Sequence, residues 1–236
     1  MRLVKAHPWK RTRTCSTQPP ASPTYLPRYF GSLAPSACLL LLTACGGGDG
    51  DDGGNLIDYD CSVFPPAETS PYVLPWTIGH TYMALPHAAR DTNHKKYAID
   101  ILMPIGTPLL AIEDGVVAAL GEQYLDSDHT PGHENFVSVK HADGTAAGYG
   151  HLTNMGVVVE VGDEVKQGHL IGYSGHTGNS TSPHLHLDVI ANCDVQSPIN
   201  PDVVNRCANI PLSFKNASPT SSCGLRYEVS YTAMPY

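Results

Sequence analysis

Residues 136–151, FVSVKHADGTAAGYGH, form a run of apolar and β-branched residues, break at Asp143-Gly144, and resume as a second strand-like run. Successive side chains of a strand point to opposite faces, and Asp-Gly supplies the positive φ that a tight reversal requires. The stretch therefore predicts a β-hairpin with arms at 136–141 and 145–151. Working outward, further short strand candidates lie at 108–112, 116–120, 157–161 and 170–174, and Asp114-Gly115 marks a second candidate reversal. No window of 15 residues between 106 and 190 keeps an amphipathic helical period. The expected fold is all-β, a compact antiparallel sheet or barrel-sandwich hybrid with irregular, disulfide-tied extensions. Beyond about residue 205 the chain is rich in Ser, Pro and Tyr, and only 226–231 reads as a strand.

The two ends have a different character. Residues 33–44 (LAPSACLLLLTA) are an apolar run of 12 residues behind a basic segment, too short to span a bilayer. It ends Leu42-Thr43-Ala44-Cys45, similar to the lipobox at which bacterial lipoproteins are cleaved and acylated on the cysteine. Residues 1–44 are thus expected to be a lipoprotein signal segment with Cys45 as the lipidation site. Residues 46–55 (GGGDGDDGGN) carry no apolar side chain to join a core before Leu56, and 45–60 reads as a flexible linker. The domain proper is expected at 61–205, with a C-terminal extension at 206–236.

Of 14 Lys and Arg, six (Arg2, Lys5, Lys10, Arg11, Arg13, Arg28) precede Cys45 and no carboxylate does, which leaves 8 cations against 22 anions from Cys45 onward, a net of −14. Such a field repels polyanions, so nucleic acid is excluded as a partner. With Cys15 and Cys38 in the signal and Cys45 lipidated, four of the seven cysteines remain: Cys61, Cys193, Cys207 and Cys223. An even set in an exported chain suggests two disulfides. Three pairings are open; Cys61–Cys223 with Cys193–Cys207 is preferred because the first would tie the ends of the domain together.

Three features carry chemistry. In Ser182-Pro183-His184-Leu185-His186-Leu187-Asp188-Val189, two histidines at i and i+2 of a strand-like run project to one face while the leucines face the core. In His94-Lys95-Lys96-Tyr97-Ala98-Ile99-Asp100, a carboxylate sits in apolar strand context, which is costly unless a partner or cation compensates it. In Gly148-Tyr149-Gly150-His151-Leu152, a histidine closes a strand among small residues. Twelve histidines in all point to metal or proton chemistry. No HExxH helix and no GxSxG elbow occurs. His129 and His133, four apart in a Gly/Pro loop, read as solvated or groove-lining, and His176 as groove-lining.

Taken in order, these pieces resemble the lysostaphin-like, LytM-type zinc endopeptidases of peptidoglycan. The resemblance runs from about residue 74 to 189 through YAID, MPIGTPLLAIEDGVV, VKHADGTAAGYGHL and VVVEVGDEVKQGHLIGYSGHTGNSTSPHLHLDV. It implies a compact antiparallel β fold, of the duplicated hybrid motif kind, with an open groove. It implies one Zn²⁺ held by His94, Asp100 and His186, with His151 and His184 as the catalytic pair in roles the sequence does not divide. One departure stands out: many members place the first histidine four residues before the aspartate, where this chain has Lys96. The first ligand is then His94 by similarity to members with a longer loop, with His87 as the alternative and His80 more distant. The resemblance also implies peptidoglycan cross-links as substrate and a lipid-anchored place in the bacterial envelope, periplasmic or outer-membrane in a Gram-negative cell. The rival expectation is a non-catalytic LytM-like lipoprotein that activates a cell-wall amidase or binds peptidoglycan.

Overall fold

The computed structural model describes residues 60–87, 96–191 and 208–236. Thirteen strands are present among them: β1 (Thr81–Pro86), β2 (Ile99–Leu102), β3 (Pro108–Leu110), β4 (Gly115–Gly121), β5 (Phe136–Lys140), β6 (Ala146–Gly150), β7 (Leu152–Val157), β8 (Glu164–Val165), β9 (Leu170–Ser174), β10 (His184–Ala191), β11 (Ala208–Asn209), β12 (Ala217–Ser218) and β13 (Val229–Ala233). Two short 3-10 turns, Cys61–Val63 and Ala67–Thr69, are the helical elements. None of these elements is a helix long and apolar enough to cross a membrane.

The strands form two antiparallel sheets and no closed barrel. The larger runs β12-β13-β1-β2-β10-β6-β5-β4-β8, with β11 also on β10; the smaller is β3-β9-β7. The expected hairpin is present: β5 and β6 pair from Phe136↔Gly150 to Lys140↔Ala146, and Gly144 takes φ +87° at the turn. The Asp114-Gly115 reversal is corrected, because β3 pairs with β9 while β4 pairs with β5 and β8, so the chain there changes sheet. The strand expected at 157–161 lies instead at β7, and Val158 and Val161 are exposed. The region after 205 holds three strands, β11, β12 and β13, and β13 begins three residues later than the expected 226.

Alternation explains the core. Leu185 and Leu187 of β10, Ile99 and Ile101 of β2, and Ala147 and Tyr149 of β6 share one face and are buried with Trp76, Leu74, Leu152 and Ile171. Each large apolar side chain so buried contributes roughly 1.5–3 kcal/mol. Tyr149 lies wholly inside, and its hydroxyl accepts the Ile112 amide at 2.9 Å. The opposite face of the same strands is left for polar groups. A Cys61–Cys223 disulfide joins the segment before β1 to the segment before β13, as the preferred pairing expects. Cys45, Cys193 and Cys207 lie outside the described residues.

Candidate active site

Register brings the polar residues together. On the non-core face, His186 of β10 lies opposite Asp100 of β2 and His184 opposite Leu102. On the other flank, His186 and Asp188 lie opposite Gly150 and Gly148, which add no side chain to that face. Leu85 of β1 is opposite Asp100, so His87, two residues on, is its diagonal neighbour; the His87 amide donates to the Ala98 carbonyl and continues the pairing past the end of β1.

Asp100 is the centre of this arrangement. Its Oδ1 is 2.9 Å from His186 Nδ1 and its Oδ2 is 3.0 Å from His87 Nε2, and His184 Nε2 approaches Oδ1 at 3.5 Å. Burial alone would push its carboxyl up, but hydrogen bonds from His186 and His87 outweigh that and hold it well below the usual carboxylate range. One ligand atom from each of His87, Asp100 and His186 lies within 4.8 Å of the others. Donors on a tetrahedral ion with bonds near 2.1 Å stand roughly 3.4 Å apart, and two imidazoles with one carboxylate are a donor set suited to zinc. The three residues therefore fit a divalent transition metal with small adjustment.

Beside this group lies the second pair. The rings of His151 and His184 are 4.5 Å apart, and that of His151 is 6.0 Å from His186. His151 Nδ1 donates to the Thr177 carbonyl at 2.6 Å, and His184 Nδ1 donates to the Ser182 carbonyl at 2.7 Å, with Ser180 Oγ 3.2 Å away. A carbonyl can only accept, so each neutral ring carries its proton on Nδ1 and keeps the Nε2 lone pair for the site. Burial first, then the neighbouring His186 and His184 rings, push His151 down to about 3, which keeps it neutral at pH 7.

The structure thus brings Asp100, His186, His151 and His184 together. His94 lies outside the described residues; His87, the alternative, reaches Asp100. His80 is exposed and stacks on Tyr82. His133 stacks on Tyr124 at 4.2 Å and bonds Asp128, whereas His129 meets His176 at 4.2 Å. His176 is lowered by burial and by His129 and His184. The sequence reading overlooked Asn135 and Thr177, both fully buried polar residues behind His151.

Fold and site together define a class, an antiparallel β protein built around a candidate mononuclear metal centre with a flanking imidazole pair. Comparison then points to a particular family: residues 94–201 match Peptidase family M23. Glycyl-glycine endopeptidase ALE-1 of Staphylococcus capitis is 37% identical over 115 residues, 48% of this chain and 29% of that protein. Peptidoglycan DD-endopeptidase ShyA of Vibrio cholerae is 36% identical over 114 residues, 48% of this chain and 23% of that protein. The catalytic domain of lysostaphin from Staphylococcus simulans is similar at 33% identity, over 52% of this chain and 89% of that domain, with a TM-score of 0.36. The matched segment covers well under half of the two full-length relatives.

Proposed function

We propose that this protein is a zinc-dependent endopeptidase that hydrolyses peptide cross-links of bacterial peptidoglycan. The observation that carries the reading is the placement of Asp100 between His186 and His87, with His151 and His184 alongside and both fixed through Nδ1. The match of residues 94–201 to Peptidase family M23 and the names of relatives, a glycyl-glycine endopeptidase and a peptidoglycan DD-endopeptidase, support the substrate class.

His87, Asp100 and His186 would hold the metal, His94 being the alternative first ligand. Zinc bound by three protein groups supplies Lewis acidity that polarises a carbonyl and acidifies water. The chain's own residues do the rest. The Nε2 atoms of His151 and His184 accept the proton released as water attacks the scissile carbonyl and return it to the leaving amine. Their Nδ1 bonds to backbone carbonyls keep the rings in the tautomer this exchange needs.

We further infer an envelope location, with residues 1–44 as signal, Cys45 lipidated, 45–60 as tether, the peptidase domain at 61–205 and an extension at 206–236. The test of the function is a digest of purified peptidoglycan with the purified protein, with and without chelator and with zinc restored. Zinc-dependent loss of cross-linked fragments by mass spectrometry is expected. Intact cross-links after treatment with folded, zinc-loaded protein would overturn the reading.

A further inference from the structure

We propose that Asn135 and Thr177 are positioning residues that set both the backbone and the ring of His151. The proposal rests on reading His151 as one of the catalytic pair.

His151 is not a glycine, yet it takes φ +61° at the junction of β6 and β7. A left-handed backbone at such a residue is strained and persists only where its surroundings over-determine it. Asn135 and Thr177 are those surroundings. The Leu152 amide, immediately after His151, donates to the Asn135 carbonyl at 3.1 Å. The Leu152 carbonyl accepts from Thr177 Oγ1 at 3.0 Å and from Asn135 Nδ2 at 3.3 Å. The Thr177 carbonyl accepts a hydrogen bond from His151 Nδ1, and the Asn135 backbone amide donates to Thr177 Oγ1 at 3.0 Å. Backbone and ring of His151 are therefore referred to the same two residues.

Both are 0% exposed, and their side-chain polar groups are all engaged. The remaining amide capacity of Asn135 goes to one residue, Tyr124: Nδ2 donates to its carbonyl at 2.8 Å and Oδ1 accepts its amide at 3.0 Å. The segment 124–135 is held to the turn after β9 by further bonds, from the His176 amide to Asp126 Oδ1 and from the Gly178 amide to the Asp128 carbonyl, each at 2.7 Å. A fully satisfied buried network is rigid. Asn135 thus couples the loop beside the site to the geometry of His151.

The first test needs no variant. In the parent, the His151 side chain should show by nitrogen-15 NMR an Nδ1–H tautomer whose proton exchanges slowly; an Nε2–H tautomer or a freely exchanging proton overturns the proposal. The second compares Thr177→Val, which removes the hydroxyl at nearly constant shape, with Thr177→Ser, which keeps it. Thr177→Val should bind metal as the parent does, shift the His151 ring signals, and lose about 10- to 100-fold in kcat with KM little changed, as expected when a reacting group is misplaced. Thr177→Ser should restore both readouts. A Thr177→Val protein with parental ring signals overturns the proposal. If the ring signals shift but the parent itself cuts no cross-link, positioning stands and the peptidase reading fails.

Discussion

His186 and Asp100 face each other across β10 and β2, with Nδ1 2.9 Å from Oδ1, so the register of two neighbouring strands is what assembles the candidate metal centre. A one-residue slip would send one of them into the core. Asp100→Asn should preserve the fold while weakening metal binding by more than the ~10–100-fold that loss of an outer-shell partner costs. Metal content of the purified variant, measured against the parent, checks this; equal content would remove Asp100 from the site.

The first ligand is decided by a pair of substitutions. His87 Nε2 is 3.0 Å from Asp100 Oδ2, so His87→Ala should lose metal and His94→Ala should keep it. The reverse pattern, read by metal stoichiometry, would assign that place to His94.

His141 gives a pH dependence of stability remote from the proposed chemistry. Although Glu113 Oε2 is 3.4 Å from His141 Nδ1, that nitrogen bonds Thr145 Oγ1 at 2.9 Å, and burial governs the ring, pushing it down to about 4. Between the unfolded value near 6.5 and the folded value, the unfolded chain binds a proton that the native one does not. Stability should therefore fall as pH drops through that window, by up to about 3 kcal/mol from this group at roughly 1.4 kcal/mol per pH unit. Denaturant midpoints across the range should show a shallower slope for His141→Phe than for the parent; equal slopes would contradict it.

The Cys61–Cys223 bridge closes a sequence separation of 162 residues. Replacing both cysteines by serine should destabilise the protein by about 2–5 kcal/mol. A melting temperature unchanged from the oxidised parent would show that the bridge is dispensable.

Elements whose signals are local were legible in the sequence. The β5–β6 hairpin follows from Asp143-Gly144, β9 from its apolar run, and the two faces of β10 from the His-Leu-His-Leu alternation. Other elements depend on distant partners. The LTNMGV sequence of β7 has no strand period; it pairs irregularly with β9, and Met155 takes φ +51° while its amide and Asn154 both bond the Glu122 carbonyl. The VVVEV run beyond it is apolar, yet Val158 and Val161 are solvent-facing because no strand is there to cover them. Strand β1 sits between β2 and β13, which are far apart in the sequence, and its place determines that His87 meets Asp100. For that reason the sequence could offer His87 only as an alternative. Asn135 and Thr177 were silent because their importance lies in what they bond, not in their spacing.

The most direct measurement is the conversion of purified cross-linked muropeptide dimers to monomers by the zinc-loaded parent and by His186→Ala, followed by mass spectrometry. The account predicts cleavage by the parent and loss of both metal and cleavage in the variant. A His186→Ala protein that cleaves as fast as the parent would contradict it.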